Sequence, residues 1–589
     1  MLPLSRSRRL SAALLLLCSL IAGCGGSGEE ETRTTGQGGR VYGGVYRMNI
    51  LRGSPNGLDP VLIDSKHAED IASQVFDRLI DLDDSLHLVP MLARTLPEIS
   101  DSGRTYTFHL RTDALFHDDS CFPAGRGRRI TAEDVRYSLT RCCDPRTSTV
   151  AFWAFKEKVR GASRYYQQIE ERTRANRPVE GVEPIEGFTV VDDSTFRIEL
   201  QAPYTPFIYY LVNTICGVVP HEAVERYGRD FLRHPVGSGP FQFVEWNPQQ
   251  HLILRRNPAY WERDAQGNRL PFLNELRFTF VQDDKTQLQE FTVGNLEESF
   301  GLPTEQFAGI IDPATHAARP AYARYQVQQK PAMLTWFVDF NTTRPPFDNV
   351  LLRRAVSYAI DRNRLVRFTL QNSPAAPAEH GVIPPVFEGY PVDRVQGYRF
   401  NADSARALLA QAGYPNGAGL PPISLHIYPD PRLQQVALAL QDMLKSTLNI
   451  SVQIKTLQTP QLLEQAESGA LQFWGTRWYG DYPDPETFLL LLNGALVPSD
   501  PAAKSYPNST RWRNHSYDSL LALGTVTQDR AAQSALYAQA ETIAMAEAPL
   551  VALFYEMHYR LVQPQVRGLV LNAMARYRMK EVWLAAEKG

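Results

Sequence analysis

Cysteine is scarce in this chain of 589 residues: there are six, with no C-x-x-C pair among them. That removes the usual sequence basis for a zinc ribbon or a thioredoxin-like redox site. A charge excess is missing as well. Lys and Arg number 61 against 64 Asp and Glu, a net of −3, without the basic surplus or basic face that nucleic-acid binding needs. The nearest basic run, Arg126-Gly127-Arg128-Arg129, is short enough to be a solvated loop. Neither H-E-x-x-H nor G-x-x-x-x-G-K-[ST] occurs, so no zincin and no nucleotide-driven motor is indicated. Gly237-Ser238-Gly239 is not a nucleophile elbow, because Val236 stands where G-x-S-x-G needs its first glycine. Past residue 22 no stretch approaches about 18 uninterrupted apolar residues, the length of a membrane-spanning helix.

What is present is ordinary soluble composition, 43% apolar and 21% charged, at a length that suggests several folded units or one multi-lobed body. Residues 1–23 read as an address. Arg6, Arg8 and Arg9 form a basic n-region, a mostly apolar stretch runs from Leu10 to Ala22, and Ile21-Ala22-Gly23-Cys24 follows. Small residues before a cysteine resemble the bacterial lipobox, which makes Cys24 the expected lipidated N-terminus. Residues 24–40, rich in Gly, Ser, Thr and Glu, read as a flexible tether. Removing the three arginines takes the net charge from −3 to −6. Export makes disulfides the default expectation for Cys121, Cys142, Cys143 and Cys216. Cys121 with Cys142, or with Cys143, is the expected pair, and closing about 20 residues would contribute about 3 kcal/mol.

Strand and helix patterns interleave. Tyr106, Phe108 and Leu110 alternate with polar residues, as do Leu252 and Leu254, Ile423, Leu425 and Ile427, and Ile450, Val452 and Ile454. Leu352, Ala355, Val356, Ala359 and Ile360 form a helical stripe that Asp348 is placed to cap, and Val436, Leu440, Met443 and Leu444 form another. Thr131-Ala132-Glu133-Asp134 predicts a capping box. The fold class is α/β or α+β.

Several segments together resemble the bacterial extracellular solute-binding proteins of family 5, the oligopeptide- and dipeptide-binding proteins of ABC importers. They are Leu58-Asp59-Pro60, Phe76-Asp77-Arg78-Leu79-Ile80, Phe116-His117-Asp118-Asp119, Pro235-Val236-Gly237-Ser238-Gly239-Pro240-Phe241 and Arg256-Asn257-Pro258-Ala259-Tyr260-Trp261. They continue with Arg353-Arg354-Ala355-Val356-Ser357-Tyr358-Ala359-Ile360-Asp361 and Trp478-Tyr479-Gly480-Asp481-Tyr482-Pro483-Asp484-Pro485. The resemblance covers nearly all of residues 45–589.

It implies an α/β, two-lobed periplasmic-binding-protein-like fold of type II, hinged about a central cleft. Lobe I would take 41–75, 233–328 and 547–589, with 76–232 inserted into it, and lobe II would take 329–546. It also implies ligand contact by Asp481, meeting a peptide α-ammonium, with Trp478, Tyr479 and Gly480 beside it. Asp481-Tyr482-Pro483-Asp484-Pro485 also reads as a simple turn. Arg432 lies where dipeptide binders hold the ligand carboxylate. The resemblance further implies a lipid-anchored, extracytoplasmic, monomeric receptor that passes peptides to an inner-membrane permease with a separate ATPase. It uses no cofactor and makes no contact with nucleic acid. The same scaffold serves nickel chelates, haem, oligosaccharides and opines. A surface-anchored hydrolase is the remote alternative, since no spacing singles out an acid/base pair. Adjacent strand residues point to opposite faces, so Phe116-His117-Asp118-Asp119 is expected to be a turn and not a metal site.

Overall fold

The computed structural model describes residues 33–51, 53–370 and 375–586. The expected signal segment and Cys24 lie outside the described residues. The expected tether overlaps them at 33–40, and this part is docked. Thr34–Thr35 pairs with Val41–Tyr42, Gln37 N donates to Asn268 Oδ1 at 2.7 Å, and Arg40 meets Asp264 at 3.0 Å. Local composition favoured a loose chain there, but these distant partners hold it.

A four-stranded sheet runs in the order Phe241–Asn247, His251–Arg256, Glu275–Thr279 and Val45–Asn49, the last two being parallel. Residues 76–232 leave and return between these strands. They build their own antiparallel sheet in the order Glu98–Ser100, Thr105–His109, Thr195–Glu199 and Phe188–Asp192. Helix Ala132–Cys142 begins at the capping box, with Thr131 N donating to Asp134 Oδ2 at 2.8 Å. Gly237, from the Gly-Ser-Gly run, is a packing residue: a Cβ there would come 2.1 Å from the carbonyl oxygen of Val75.

The third sheet has seven strands. Its path is Glu298–Phe300, Leu550–Val562, Gln326–Phe340, Phe473–Tyr479, Ile423–Ile427 and Val452–Thr456, with Ala375–Pro377 also on Leu550–Val562. The two longest strands, Gln326–Phe340 and Leu550–Val562, lie antiparallel and join two bodies. One end pairs 326–331 with 557–562, beside a core that includes Phe291, Phe307 and Tyr559. The other end pairs 335–339 with 550–555, beside a core that includes Val338, Val356, Leu440 and Phe473. Between them the register breaks from Pro331 to Thr335.

Helices Val350–Ala359, Ala402–Gln411 and Pro431–Leu448 cover one face of this sheet with the expected stripes. The cap of the first is Asn349, whose side chain accepts from Leu351 N at 2.9 Å, and not Asp348. Asn349 directly precedes the first helical residue with extended backbone, which is what an N-cap requires. On the other face, His515–Val526 and Arg530–Glu547 share a core with residues 76–232 and the first sheet.

The expected Cys121–Cys142 bridge is not formed: Cys121, Cys142, Cys143 and Cys216 are all free. Cys142 turns into the core, where its Sγ donates to Ile215 O at 3.3 Å, and burial pushes its thiol up to about 12. Cys121 sits in the turn over 119–122, its N donating to Asp119 Oδ1 at 2.8 Å. Proximity in sequence did not make the two face each other.

Candidate functional site

The strand Phe473–Tyr479 pairs along its whole length with Gln326–Phe340, from Phe473↔Phe340 to Tyr479↔Leu334. Its other edge pairs with Ile423–Ile427 only at Trp474↔His426. From Gly475 to Tyr479 that edge has no strand partner among the described residues. Alternation sends Phe473, Gly475, Arg477 and Tyr479 to one face and Trp474 and Trp478 to the other. Trp474, 2% exposed, packs on Leu462, Ala466 and Leu471, so it belongs to the core. Trp478 is half-buried, and its indole donates to Thr487 Oγ1 at 3.3 Å. Tyr479 Oη lies 3.4 Å from His558 Nε2. Gly480 N donates to Met333 O at 2.8 Å, and a Cβ at Gly480 would meet Met333 Sδ at 2.6 Å. The site therefore rests directly on the register break of the crossing strand.

Asp481 follows. Its N–H donates to Thr487 Oγ1 at 3.3 Å, but its carboxylate has no hydrogen-bond or ion-pair partner among the described residues. It is open to solvent on one side and surrounded by protein on the others. That desolvation, with Glu69 adding, pushes its carboxyl up to about 7. The turn that the sequence suggested is held by a different residue. Asp484, fully buried, accepts from Glu486 N at 3.0 Å and pairs with Arg530 at 2.9 Å. Asp481 is thus left without a structural task.

Across from it lies helix Lys66–Ala72 of the N-terminal segment. Its Glu69 acts on Asp481, and its Asp70 and Glu69 both raise the Tyr479 hydroxyl. Lys66 is paired with Asp70. Tyr506, 60% exposed, has its hydroxyl pushed up to about 12 by surrounding protein, with Asp481 adding. The ensemble is an acidic recess beside an open strand edge, suited to a cationic group at the end of an extended chain. Glu69 and Tyr506 carried no sequence signal, since neither belongs to the segment around Asp481 and Glu69 comes from the N-terminal part of the chain.

Arg432 is placed differently from Asp481. It begins helix Pro431–Leu448, and its Nη1 donates to both oxygens of Glu556. Its Nε and Nη2 are buried without partners. Its Nη1 is thus tied to the strand Leu550–Val562 through Glu556. Arg477 is the accessible cation here, exposed and lying with Cζ 4.8 Å from the Trp336 ring centroid.

The Phe116–Asp119 segment leads into a turn over 119–122, closed by Phe122 N donating to Asp119 O at 3.1 Å. His117 Nε2 donates to Gly239 O at 2.9 Å, Asp118 accepts from Gly127 N at 2.9 Å, and Asp119 accepts from Tyr227 Oη at 2.9 Å. No group of three or more metal-ligating side chains occurs among the described residues. A hollow of about 250 Å³ lined by Gln168, Glu171, Arg172 and Glu183 lies in another part of the chain, on a charged surface.

Residues 87–497 match the family described as "Bacterial extracellular solute-binding proteins, family 5 Middle". The chain is 27% identical over 586 residues to "Heme-binding protein A" of Haemophilus influenzae, covering 97% of each. It is 25% identical over 526 residues to "Periplasmic oligopeptide-binding protein OppA" of Escherichia coli, covering 87% of each. In three dimensions it resembles the periplasmic binding protein DppA from Helicobacter pylori in complex with peptide STSA. The TM-score is 0.72 at 22% identity, covering 93% of this chain and 99% of that one. This likeness establishes the two-lobed, type II periplasmic-binding-protein-like α/β fold. The match of residues 87–497, more than half of the chain, makes it a member of the family 5 bacterial extracellular solute-binding proteins, a family of binding proteins and not of enzymes.

Proposed function

We propose that this protein is a lipid-anchored extracytoplasmic receptor that captures di- to oligopeptides between its lobes and delivers them to an ABC permease with a separate ATPase. One observation carries the reading: a strand edge, 475–479, without a strand partner among the described residues is followed by a carboxylate, Asp481, that no hydrogen bond or ion pair engages among them. A peptide adds to such an edge through its main chain, so its side chains need not be read, while its α-ammonium meets the carboxylate. Trp478 and Tyr479 wall the edge, and Gly480 keeps the backbone close. Membership in family 5 and a relative named as an oligopeptide-binding protein support the cargo class. Titration calorimetry with a di- to hexapeptide mixture, and native mass spectrometry of the purified protein, test it. Absence of binding to every peptide would sink the assignment. Lipidation of Cys24 is tested separately by the mass of the N-terminal peptide from membranes.

A second reading keeps the scaffold and changes the cargo to a non-peptide solute. It is favoured by the 97% coverage of a relative named as heme-binding. In that case Asp481→Ala leaves binding unaltered, whereas a peptide ammonium loses its anchor.

A further inference from the structure

At one end of the four-stranded sheet, Val45–Asn49 and Glu275–Thr279 begin and His251–Arg256 finishes. Residues 33–43 and the loop 261–272 meet there. Gly43 N donates to Phe272 O at 2.9 Å, Tyr42 Oη donates to Arg269 O at 2.9 Å, and Gln37 N donates to Asn268 Oδ1 at 2.7 Å. The N-terminal segment is therefore fixed to the body from residue 33 onward, well before the first strand of this sheet.

Five arginines gather at this end. Arg40 pairs with Asp264 at 3.0 Å. Arg256 lies with Cζ 4.7 Å from the Tyr42 ring centroid, where the Arg269 charge acts on it. Arg263 Nη1 donates to Gly267 O at 2.8 Å, and Arg269 Nη1 donates to Tyr260 O at 3.1 Å. Arg33 directly precedes Thr34, which pairs with Tyr42. The carboxylates on these segments are engaged by other cations: Asp264 by Arg40, Glu262 by Lys580 at 2.5 Å and Glu275 by Arg277 at 2.7 Å. Arg33, Arg256, Arg263 and Arg269 thus have no ion pair among the described residues, in a chain whose net charge is −3. Arg33 and Arg263 are exposed.

Chain length sets where this end can go. Nine residues, 24–32, lie between the expected lipid on Cys24 and the docked Arg33. Fully extended they reach about 30 Å, against about 60 Å had residues 33–40 been undocked as well. A compact body of about 550 residues has a radius of gyration of about 24 Å and hence a breadth of about 60 Å. A lipid at Cys24 therefore keeps the arginine-bearing end toward the membrane, because the opposite end cannot reach it. Anionic headgroups attract basic side chains held within about 10 Å of them. Glu29, Glu30 and Glu31 in the same nine residues oppose this with three charges, one fewer than the four unpaired arginines.

We infer that this end of the protein is a membrane-contact surface, its arginines set against anionic phospholipid headgroups. The inference rests on the lipid-anchor reading of Cys24 above. The anchor supplies attachment, and the arginines decide which side of the body faces the bilayer.

The test uses the mature chain from residue 24 with Cys24→Ala, so that the electrostatic contact is read without the acyl chains. It is sedimented with vesicles of phosphatidylcholine and phosphatidylglycerol, or of phosphatidylcholine alone. Binding is expected to the anionic vesicles at about 50 mM salt, to be lost at about 500 mM, and to be absent with neutral vesicles. Arg33→Gln combined with Arg263→Gln should weaken it by about 10- to 25-fold, at about fivefold for each arginine. Arg126→Gln combined with Arg129→Gln, both exposed and in residues 76–232, should leave it unchanged. Thermal midpoints should match the parent chain, because all four side chains are exposed. No binding by the parent chain, or equal weakening by the two pairs, overturns the surface. Binding that appears only with Glu29→Gln, Glu30→Gln and Glu31→Gln combined also overturns it, since those glutamates would then be what the arginines hold. An N-terminal peptide mass without lipid overturns the anchor reading alone, because vesicle binding by the unacylated chain does not depend on it.

Discussion

Arg432 Nη1 lies 2.6 Å from Oε1 and 2.8 Å from Oε2 of Glu556, tying the start of helix Pro431–Leu448 to the strand Leu550–Val562. The two side chains are 15% and 12% exposed, and Glu556 also accepts from Trp336. This pair is a joint between that helix and the seven-stranded sheet, and removing one member leaves the other charge poorly solvated.

Arg432→Met is accordingly expected to destabilise the protein by about 3 kcal/mol, since it strands the Glu556 carboxylate. The double variant Arg432→Met with Glu556→Gln should recover most of that loss, because neither partner is then an unpaired charge. Chemical unfolding of the two variants measures this. A double variant as unstable as the single one would contradict the role of the pair.

On the proposed peptide reading, Asp481 is expected to make binding pH-dependent. Its carboxyl sits at about 7 in the unliganded protein, so below that pH a proton must be lost before an ammonium can be held as an ion pair. Affinity for tetra-alanine should rise between pH 5 and pH 8 and level off above. Asp481→Asn should flatten that profile and weaken binding at pH 8 by about 10- to 100-fold. A profile identical in both proteins would show that Asp481 is not the titrating group.

Glu486 lies buried where residues 204–210 meet the second lobe. Tyr204 Oη donates to Oε1 at 2.7 Å, Tyr482 Oη donates to Oε2, and Tyr210 Oη lies 2.7 Å from Tyr204 Oη. Burial pushes the carboxyl up to about 7, although both tyrosines and Lys158 act to lower it. A folded-state value above the unfolded one means that this group's contribution is full below about 4.5 and is lost as pH rises through 7. Buried His117, depressed to about 4, acts in the opposite direction: its contribution is present above about 6.5 and lost as pH falls. Glu486→Gln should therefore reduce the fall in thermal midpoint between pH 5 and pH 8 and leave the acid side unchanged. An unaltered alkaline slope would place the titration elsewhere.

The four described cysteines give a direct test of the core. Cys142, Cys143 and Cys216 are buried and Cys121 is half-buried, and all are free thiols. Thiol titration of protein beginning after residue 24 should find at most one reactive group in the folded state and four after denaturation without reductant. Two fewer in denaturant would reveal a disulfide.

Much of this fold could be read from local pattern. Alternation in Tyr106, Phe108 and Leu110 and stripes such as Val436, Leu440, Met443 and Leu444 gave strands and helices where they occur. These signals survive because they depend only on which face of an element meets a core, and that is set by a period of 2 or 3.6 residues. The segment Trp478-Tyr479-Gly480-Asp481 was singled out through the family resemblance, and because it is contiguous its order beside an open edge is carried by the chain.

Other features depended on partners far away in sequence. Arg432 is engaged because Glu556, 124 positions on, reaches it, which leaves Arg477 as the accessible cation. Asp484 and not Asp481 holds the turn because it also meets Arg530, 46 positions away. Residues 33–40 are docked by Asn268 and Asp264, and Cys142 faces Ile215 instead of Cys121. The sequence by itself determined the family, many of the elements and the run of residues along the open strand edge, because these are local. Only the tertiary structure decided which charges are neutralised and which are left without a partner among the described residues, because a charge is satisfied by whatever the fold brings within hydrogen-bond reach.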